Sequence, residues 1–500
     1  MLENALVYRH WHTAFRARKL IAFLGALAAI LITAYTASYS HFVSECQGWI
    51  GLGKAMLQVV SVLELLVCIY GSFALCAESI GGERIRKTLD LLVTLPLRPA
   101  QKVHGLLIGC NLYPLLGYVL LTPLLLVFGT IAGVAMSDLL IASGLVLAFM
   151  LCYSLVGLAI SSAAGGILSV LAAVLLFIVS SGLDGALFHD AIWDVRNGLN
   201  RQSELSALAP LLPASPASVC EMALQPGFTP PALLFFGQPI PWQVATLIGL
   251  AYLSVLSYLV ARQKLSRPSL PPLPRGLTLL FFALLEALLI GFFWRTDFSG
   301  IEPTRVWLAA FFMLLLLWSV ATQLTYPRLL EWTRRYGARP LQMFTQVFRL
   351  SSPNALLVLL MWFLVADGLW VLRRNSGSRE EAVAAILAFV SLLGFLLQAN
   401  VLFLLGEVFW KRAGKAGGLA MFLVLTVIPL AIGLAAENKT IVSLSAPYAL
   451  ALLDPKDFNR TDIVANLCAG WGFFALFSVI YLYWSISTAW LAKREAQDRA

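Results

Sequence analysis

Apolar stretches long enough to cross a bilayer recur along the whole 500-residue chain. A transmembrane helix needs about 20 mostly apolar residues. The chain is 60% hydrophobic and 12% charged, whereas soluble domains are about 45–50% apolar and about 25% charged. Because lipid offers the backbone no hydrogen-bond partners, runs of this length that are rich in Leu, Ala and Phe must be helical. The sequence therefore predicts an all-α, polytopic membrane protein.

The hydropathy pattern predicts about 12 transmembrane helices. They cover residues 20–39, 56–77, 105–131, 138–161, 166–187, 242–261, 276–294, 305–325, 354–372, 382–405, 417–435 and 465–491. A basic, proline-rich stretch after the sixth span divides them into two six-helix halves, residues 1–262 and 263–500. The second half is either a diverged repeat of the first or an unrelated six-span addition.

The distribution of charge predicts the orientation in the membrane. With these spans, the loops on the side of the N-terminus hold 24 of the 35 Lys and Arg residues. Cytoplasmic loops carry the excess of basic residues in most membrane proteins. We therefore expect both termini to be cytoplasmic. The net charge of +9 then reflects topology, and no nucleic-acid partner is expected.

The first 19 residues have the pattern of a helix that lies on the membrane surface. Basic residues such as Arg9 and Arg16 alternate with apolar ones such as Trp11. Arginine favours anionic headgroups, and a buried aromatic face favours the bilayer interface. The alternative is ordinary basic sequence flanking the first span.

A charged segment, residues 78–104, follows the second predicted span without a break. Its acidic and basic residues are interleaved with Leu and Val, which predicts an amphipathic helix continuous with the span. A charged segment held between two spans on the cytoplasmic side suits docking to a partner better than it suits catalysis.

Three short motifs in this region carry a resemblance to a known family. They are Gly-Glu-Arg at 82–84, Thr-Leu-Asp-Leu-Leu at 88–92 and Pro-Leu at 96–97. Together they resemble the type 2, exporter-like permeases of ABC transporters, and the likeness covers about residues 1–110. Asp90 stands where the family usually has Glu, and Lys87 where Gly is common.

The resemblance implies that residues 78–104 hold a coupling helix that docks in a groove of a cytoplasmic ABC ATPase. The residues expected to form this docking segment are Glu78, Glu83, Arg84, Arg86, Lys87, Thr88, Asp90 and Pro96. A second, degenerate docking loop is expected around Glu331, Arg334 and Arg335. The transporter would then be one chain acting as a fused pseudo-dimer, or a homodimer, in a bacterial inner (plasma) membrane.

The chain itself is not expected to be an enzyme or to bind a cofactor. The glycine-rich stretch 48–55 nearly fits a phosphate-binding P-loop, but Ala55 replaces the Ser or Thr that holds magnesium. ATP and Mg would therefore be bound by the partner ATPase. His and Cys residues are dispersed along the chain, so no metal site is expected.

Three acidic residues, Glu64, Glu286 and Asp367, fall inside predicted spans. Acids at membrane depth are costly, and they usually face a cavity or a partner. They support an alternative function, a secondary transporter driven by an ion gradient, in which they would bind protons or sodium. The other interpretation is structural pairing between helices. A membrane-embedded transferase is disfavoured because the first outer loop has only one acid, Glu45.

Overall fold

A computed structural model describes residues 17–44, 48–85, 96–163, 233–236, 238–266, 379–409 and 460–497, with isolated positions elsewhere. The chain forms two compact units. The first contains residues 1–270 and 284–296, and the second contains residues 271–283 and 297–500. Whether the second half repeats the first stays a prediction.

The first unit is built mainly from long helices. Its elements are α1 (Ala17–Ser44), α2 (Gly48–Glu64), a π-helical segment (Leu65–Tyr70), α3 (Gly71–Ile85), α4 (Pro99–Cys110), α5 (Leu112–Ile131), α6 (Met136–Ala163), β1 (Leu233–Phe235), β2 (Gln238–Ile240) and α7 (Trp242–Ser266).

Six helices in the described part of the chain are long and apolar enough to cross a membrane. They cover Leu20–Tyr39, Gly48–Ile80, Leu112–Ile131, Met136–Ser162, Trp242–Ser266 and Ile463–Thr488. This architecture agrees with the prediction of a helical membrane protein. The total of 12 spans and the side on which the termini lie stay predictions.

The second span is longer than the sequence pattern predicted. Helix α2, the π-helical segment and α3 follow one another directly from Gly48 to Ile85. The glycine-rich start of α2 is helical, and Gly53 lies against the end of α5. A Cβ on Gly53 would be 2.9 Å from the backbone N of Ala132. Close helix packing therefore explains a glycine at this position.

The predicted span 105–131 was wrong at its start, because the helix breaks at Asn111. Asn111 has φ −87° and ψ 6°, and its side-chain amide donates a hydrogen bond to the Leu107 carbonyl. Pro114 has no N–H to bond the Cys110 carbonyl four residues earlier, and its ring disfavours a continuous helix there. The membrane-spanning helix therefore begins at Leu112.

Helix α6 lies at the centre of the first unit, where it contacts α3, α5, α7 and the π-helical segment. Its Phe149 and Met150 are fully buried. Tyr153 packs edge-on against Phe73 of α3, with ring centroids 6.3 Å apart. Mutual apolar packing of this kind is what holds neighbouring membrane helices together.

A two-stranded antiparallel hairpin, β1 with β2, precedes α7 and was not predicted. Leu233 pairs with Ile240 and Phe235 with Gln238. Phe236 at the turn has φ +48°, and its N–H donates to the Gly291 carbonyl at 2.7 Å. A phenylalanine with positive φ is uncommon, and this hydrogen bond helps to hold it.

The second unit contains α8 (Arg379–Phe409), α9 (Arg460–Leu467), a π-helical segment (Cys468–Gly472) and α10 (Phe473–Gln497). Helix α8 packs against the other three. The Ser391 hydroxyl donates a hydrogen bond to the Asn466 side chain, and Trp471 Nε1 donates to the Val390 carbonyl at 3.0 Å. These bonds satisfy polar groups that would otherwise be buried in apolar surroundings.

Candidate functional site

The charged segment begins as a direct extension of a membrane-spanning helix. Helix α3 continues to Ile85, so Glu78 lies on it and is exposed, and the backbone at Glu83 and Arg84 is helical. Arg86, Lys87, Thr88 and Asp90 lie outside the described residues. The prediction of a helix continuous with the span therefore agrees with the structure as far as residue 85.

The charged segment ends on α4. Pro96 is exposed just before this helix. Pro99 occupies the first helical position, where its missing N–H would have no intrahelical partner in any case. The N–H of Arg98 donates to Gln101 Oε1 at 2.9 Å, which satisfies one of the donors at the start of α4.

Both ends of the charged segment are fixed to one apolar cluster. Ile80 of α3 and Val103 of α4 are buried together. The other buried members of the cluster are Leu6, Cys76, Leu106, Leu158, Ala261 and Leu265. They come from the N-terminal segment, α3, α4, α6 and α7. The charged segment thus starts and ends on the same packed surface.

Polar side chains of α4 also face the bundle. His104 stacks on Tyr258 of α7, with ring centroids 5.7 Å apart and planes 24° apart. Lys102 is only 4% exposed, and its burial lowers the pKa of the ammonium group. Burial thus disfavours the charged form of Lys102 relative to the neutral amine.

This arrangement can transmit force. Helix α3 continues from the span to Ile85, so movement of its charged end also moves the part of α3 that lies within the span Gly48–Ile80. Helix α4 packs on α3, α6 and α7. A partner that displaced residues 78–104 would therefore act on several helices at once, as in rigid-body switching between packed states.

Glu64, the first predicted intramembrane acid, is completely buried at the end of α2. The Thr122 hydroxyl of α5 donates a hydrogen bond to its Oε1 at 2.9 Å. Its Oε2 has no hydrogen-bond partner within the described part of the chain. A carboxyl buried in this way needs a neutralising partner or a proton, because an unpaired buried charge is costly.

The other predicted site residues lie outside the described residues, so their positions stay predictions. They are Arg9, Trp11 and Arg16 of the surface helix, Glu286 and Asp367 among the acids, and Glu331, Arg334 and Arg335 of the second docking loop. Where the structure describes the chain, no group of three His, Cys, Asp or Glu side chains comes together to hold a metal ion.

The sequence alone did not predict that Thr122 would donate a hydrogen bond to Glu64, or that α4 would pack into the apolar cluster. Thr122 is 58 residues from Glu64 in the sequence, and only the packing of α2 on α5 brings the two together. A signal was present, since a Thr-Pro pair in the middle of an apolar run marks a polar, irregular point in a membrane helix.

Comparisons of the chain with protein-family models, with curated proteins and with solved structures gave no match.

Proposed function

We propose that this chain is the transmembrane permease subunit of an ATP-driven ABC transporter of the exporter-like type. The observation that supports the proposal most is that the segment 78–104 begins on α3 and ends on α4, and that both helices contribute to one buried apolar cluster. The family-like motifs at 82–84, 88–92 and 96–97 lie in or beside this segment.

In the proposed mechanism, a cytoplasmic ABC ATPase docks on the segment through Glu83, Arg84 and their neighbours. ATP-driven closure of two ATPases moves the segment, and α3 and α4 carry the movement into the membrane. The bundle then alternates between inward-open and outward-open states. The protein would act in this way in a bacterial inner membrane, and residues 326–350 would supply the second docking loop.

Purification of the tagged full-length chain from its native membrane in a mild detergent tests the proposal. We expect a P-loop ATPase to co-purify in stoichiometric amount, as identified by mass spectrometry. Two ATPases per chain would indicate a fused pseudo-dimer, and one per chain would indicate a homodimer.

Matched charge reversals locate the docking surface. Arg84→Glu should abolish co-purification, because it reverses one charge in the segment. Lys54→Glu makes the same kind of change at an exposed site near the start of α2, toward the opposite end of this long helix, and should leave co-purification intact. If folded wild-type protein brings down no ATPase, the proposal fails and the ion-driven carrier becomes the better hypothesis.

A further inference from the structure

The proposed docking makes no use of the buried carboxyl of Glu64. Leu63 of α2 and Leu121 and Leu125 of α5 belong to one buried apolar cluster. Leu63 directly precedes Glu64 in the sequence, and Leu121 directly precedes Thr122. Helix α1 covers the same part of α2 through Leu27. Among the described residues, the carboxyl therefore has an apolar environment and one hydrogen bond, from Thr122.

Both partners of this hydrogen bond lie where their helices are irregular. The π-helical segment begins at Leu65, directly after Glu64, and ends with the Gly71 N–H bonded to the Leu66 carbonyl. Thr122 is followed by Pro123, which cannot donate to the carbonyl four residues earlier. Single π-turns occur frequently at functional sites, and prolines are common points of helix bending.

Few charged groups surround Glu64. Helix α5 contains no Asp, Glu, Lys, Arg or His, and those of α1 lie near its two ends. The Cys68 thiol, four residues after Glu64, donates a hydrogen bond to the Pro114 carbonyl of α5. Among the described residues, therefore, no cation neutralises the carboxyl, and a bound proton is the simplest group that would do so.

We propose that Glu64 is an exchangeable proton-binding site inside the membrane-spanning part of the first unit. The proton binds Oε2, and the Thr122 hydroxyl bonds Oε1. Binding converts the carboxylate and one proton into a neutral carboxylic acid, with no other reactant. Release leaves a buried charge beside two irregular helices, which favours a rearranged contact between α2 and α5 that admits water.

Infrared difference spectroscopy tests this site in the purified full-length protein. We expect the C=O stretch of a protonated carboxyl to weaken as the pH is raised from about 5 to about 10, across the range in which a buried acid titrates. The signal should shift in heavy water, because the proton exchanges. Glu64→Gln should lose this signal, and Asp138→Asn at the start of α6 should keep it.

Two results would overturn the proposal. One is a spectrum that is the same in the wild type and in Glu64→Gln at every pH, which would mean that Glu64 stays ionised. The other is a Glu64 signal that does not respond to pH or to heavy water, which would mean a permanently protonated structural acid. Neither result bears on docking of an ATPase.

Thr122→Val provides a second variant should Glu64→Gln not fold. The loss of the hydroxyl donor should move the same C=O signal to higher frequency, because the Oε1 carbonyl loses its hydrogen bond. An unchanged frequency in this variant would contradict the assignment of the signal to Glu64.

Discussion

Gly157 of α6 lies so close to Phe73 of α3 that a Cβ built on Gly157 would be 2.7 Å from the Phe73 carbonyl oxygen. The same Cβ would lie 3.1 Å from the backbone N of Ala77. Both obstacles are backbone atoms, which cannot turn aside as a flexible side chain can. The backbones of α6 and α3 are therefore in close contact at this point, as small residues allow in membrane helices.

Replacing Gly157 with alanine should separate α6 from α3 and destabilise the first unit. We expect a loss of about 1–3 kcal/mol in the free energy of unfolding, as for overpacked cores. Thermal unfolding of the full-length protein in one detergent measures it. Gly144→Ala on the same helix is the control, because nothing lies within 4 Å of its Cβ position. Equal melting temperatures for the two variants would contradict this packing.

The sequence was sufficient to predict most helices but not their contacts. The limits of the first span, residues 20–39, follow from its apolar run, and the structure places the same residues in a candidate span. The sequence around Gly157 does not indicate which helix this residue contacts, because a glycine in an apolar run can pack against many partner helices. The Glu64–Thr122 bond is hidden for the same reason, since it depends on how α2 packs on α5.

Local irregularities of the backbone were the other features that the sequence analysis did not predict. The break at Asn111 could have been predicted from Pro114, because a proline disfavours a helical hydrogen bond four residues back. The hairpin turn at Phe236 could have been predicted from the sequence, since a glycine, Gly237, follows directly. The two π-helical segments have no comparable signal, because they differ from α-helix only in how the backbone closes its hydrogen bonds.

The bond between Ser391 and Asn466 should stabilise the second unit. In a double-mutant cycle with Ser391→Ala and Asn466→Ala, we expect a coupling free energy of about 0.6 kcal/mol, and at most about 1.7 kcal/mol, as for other hydrogen bonds between membrane helices. Urea or thermal unfolding of the full chain measures it.

The control for this cycle pairs Ser391→Ala with Ser487→Ala. The Ser487 hydroxyl donates to the Tyr483 carbonyl of its own helix, so it should not couple to Ser391. If Ser391 coupled to Ser487 as strongly as to Asn466, the measured coupling could not be attributed to the hydrogen bond between Ser391 and Asn466.

Lys102 should make stability depend on pH in the alkaline range. Its pKa in the folded protein is lowered by burial, so the unfolded chain binds more protons between the folded and the unfolded pKa values. Stability therefore rises with pH through that window, and the cost of the charge is fully present below the folded pKa. Melting temperature against pH measures this dependence.

Substitution of Lys102 by methionine should remove its contribution. We expect the melting temperature of the wild type to rise relative to that of Lys102→Met as the pH rises through the window between the folded and the unfolded pKa. Lys54→Met is the matched control, because Lys54 is exposed near the other end of the membrane-spanning part of this unit. A constant difference at all pH values would show that burial of the charge is not the cause.

Site-specific photo-cross-linking tests the proposed docking most directly. A photo-reactive side chain replaces Ile85, at the end of α3, or Ile50, which is 60% exposed near the start of α2. The two isoleucines lie toward opposite ends of one long helical stretch. We predict that a P-loop ATPase cross-links from position 85 and not from position 50. Cross-linking from neither position in intact cells, or equally from both, would contradict the assignment of residues 78–104 as the docking segment.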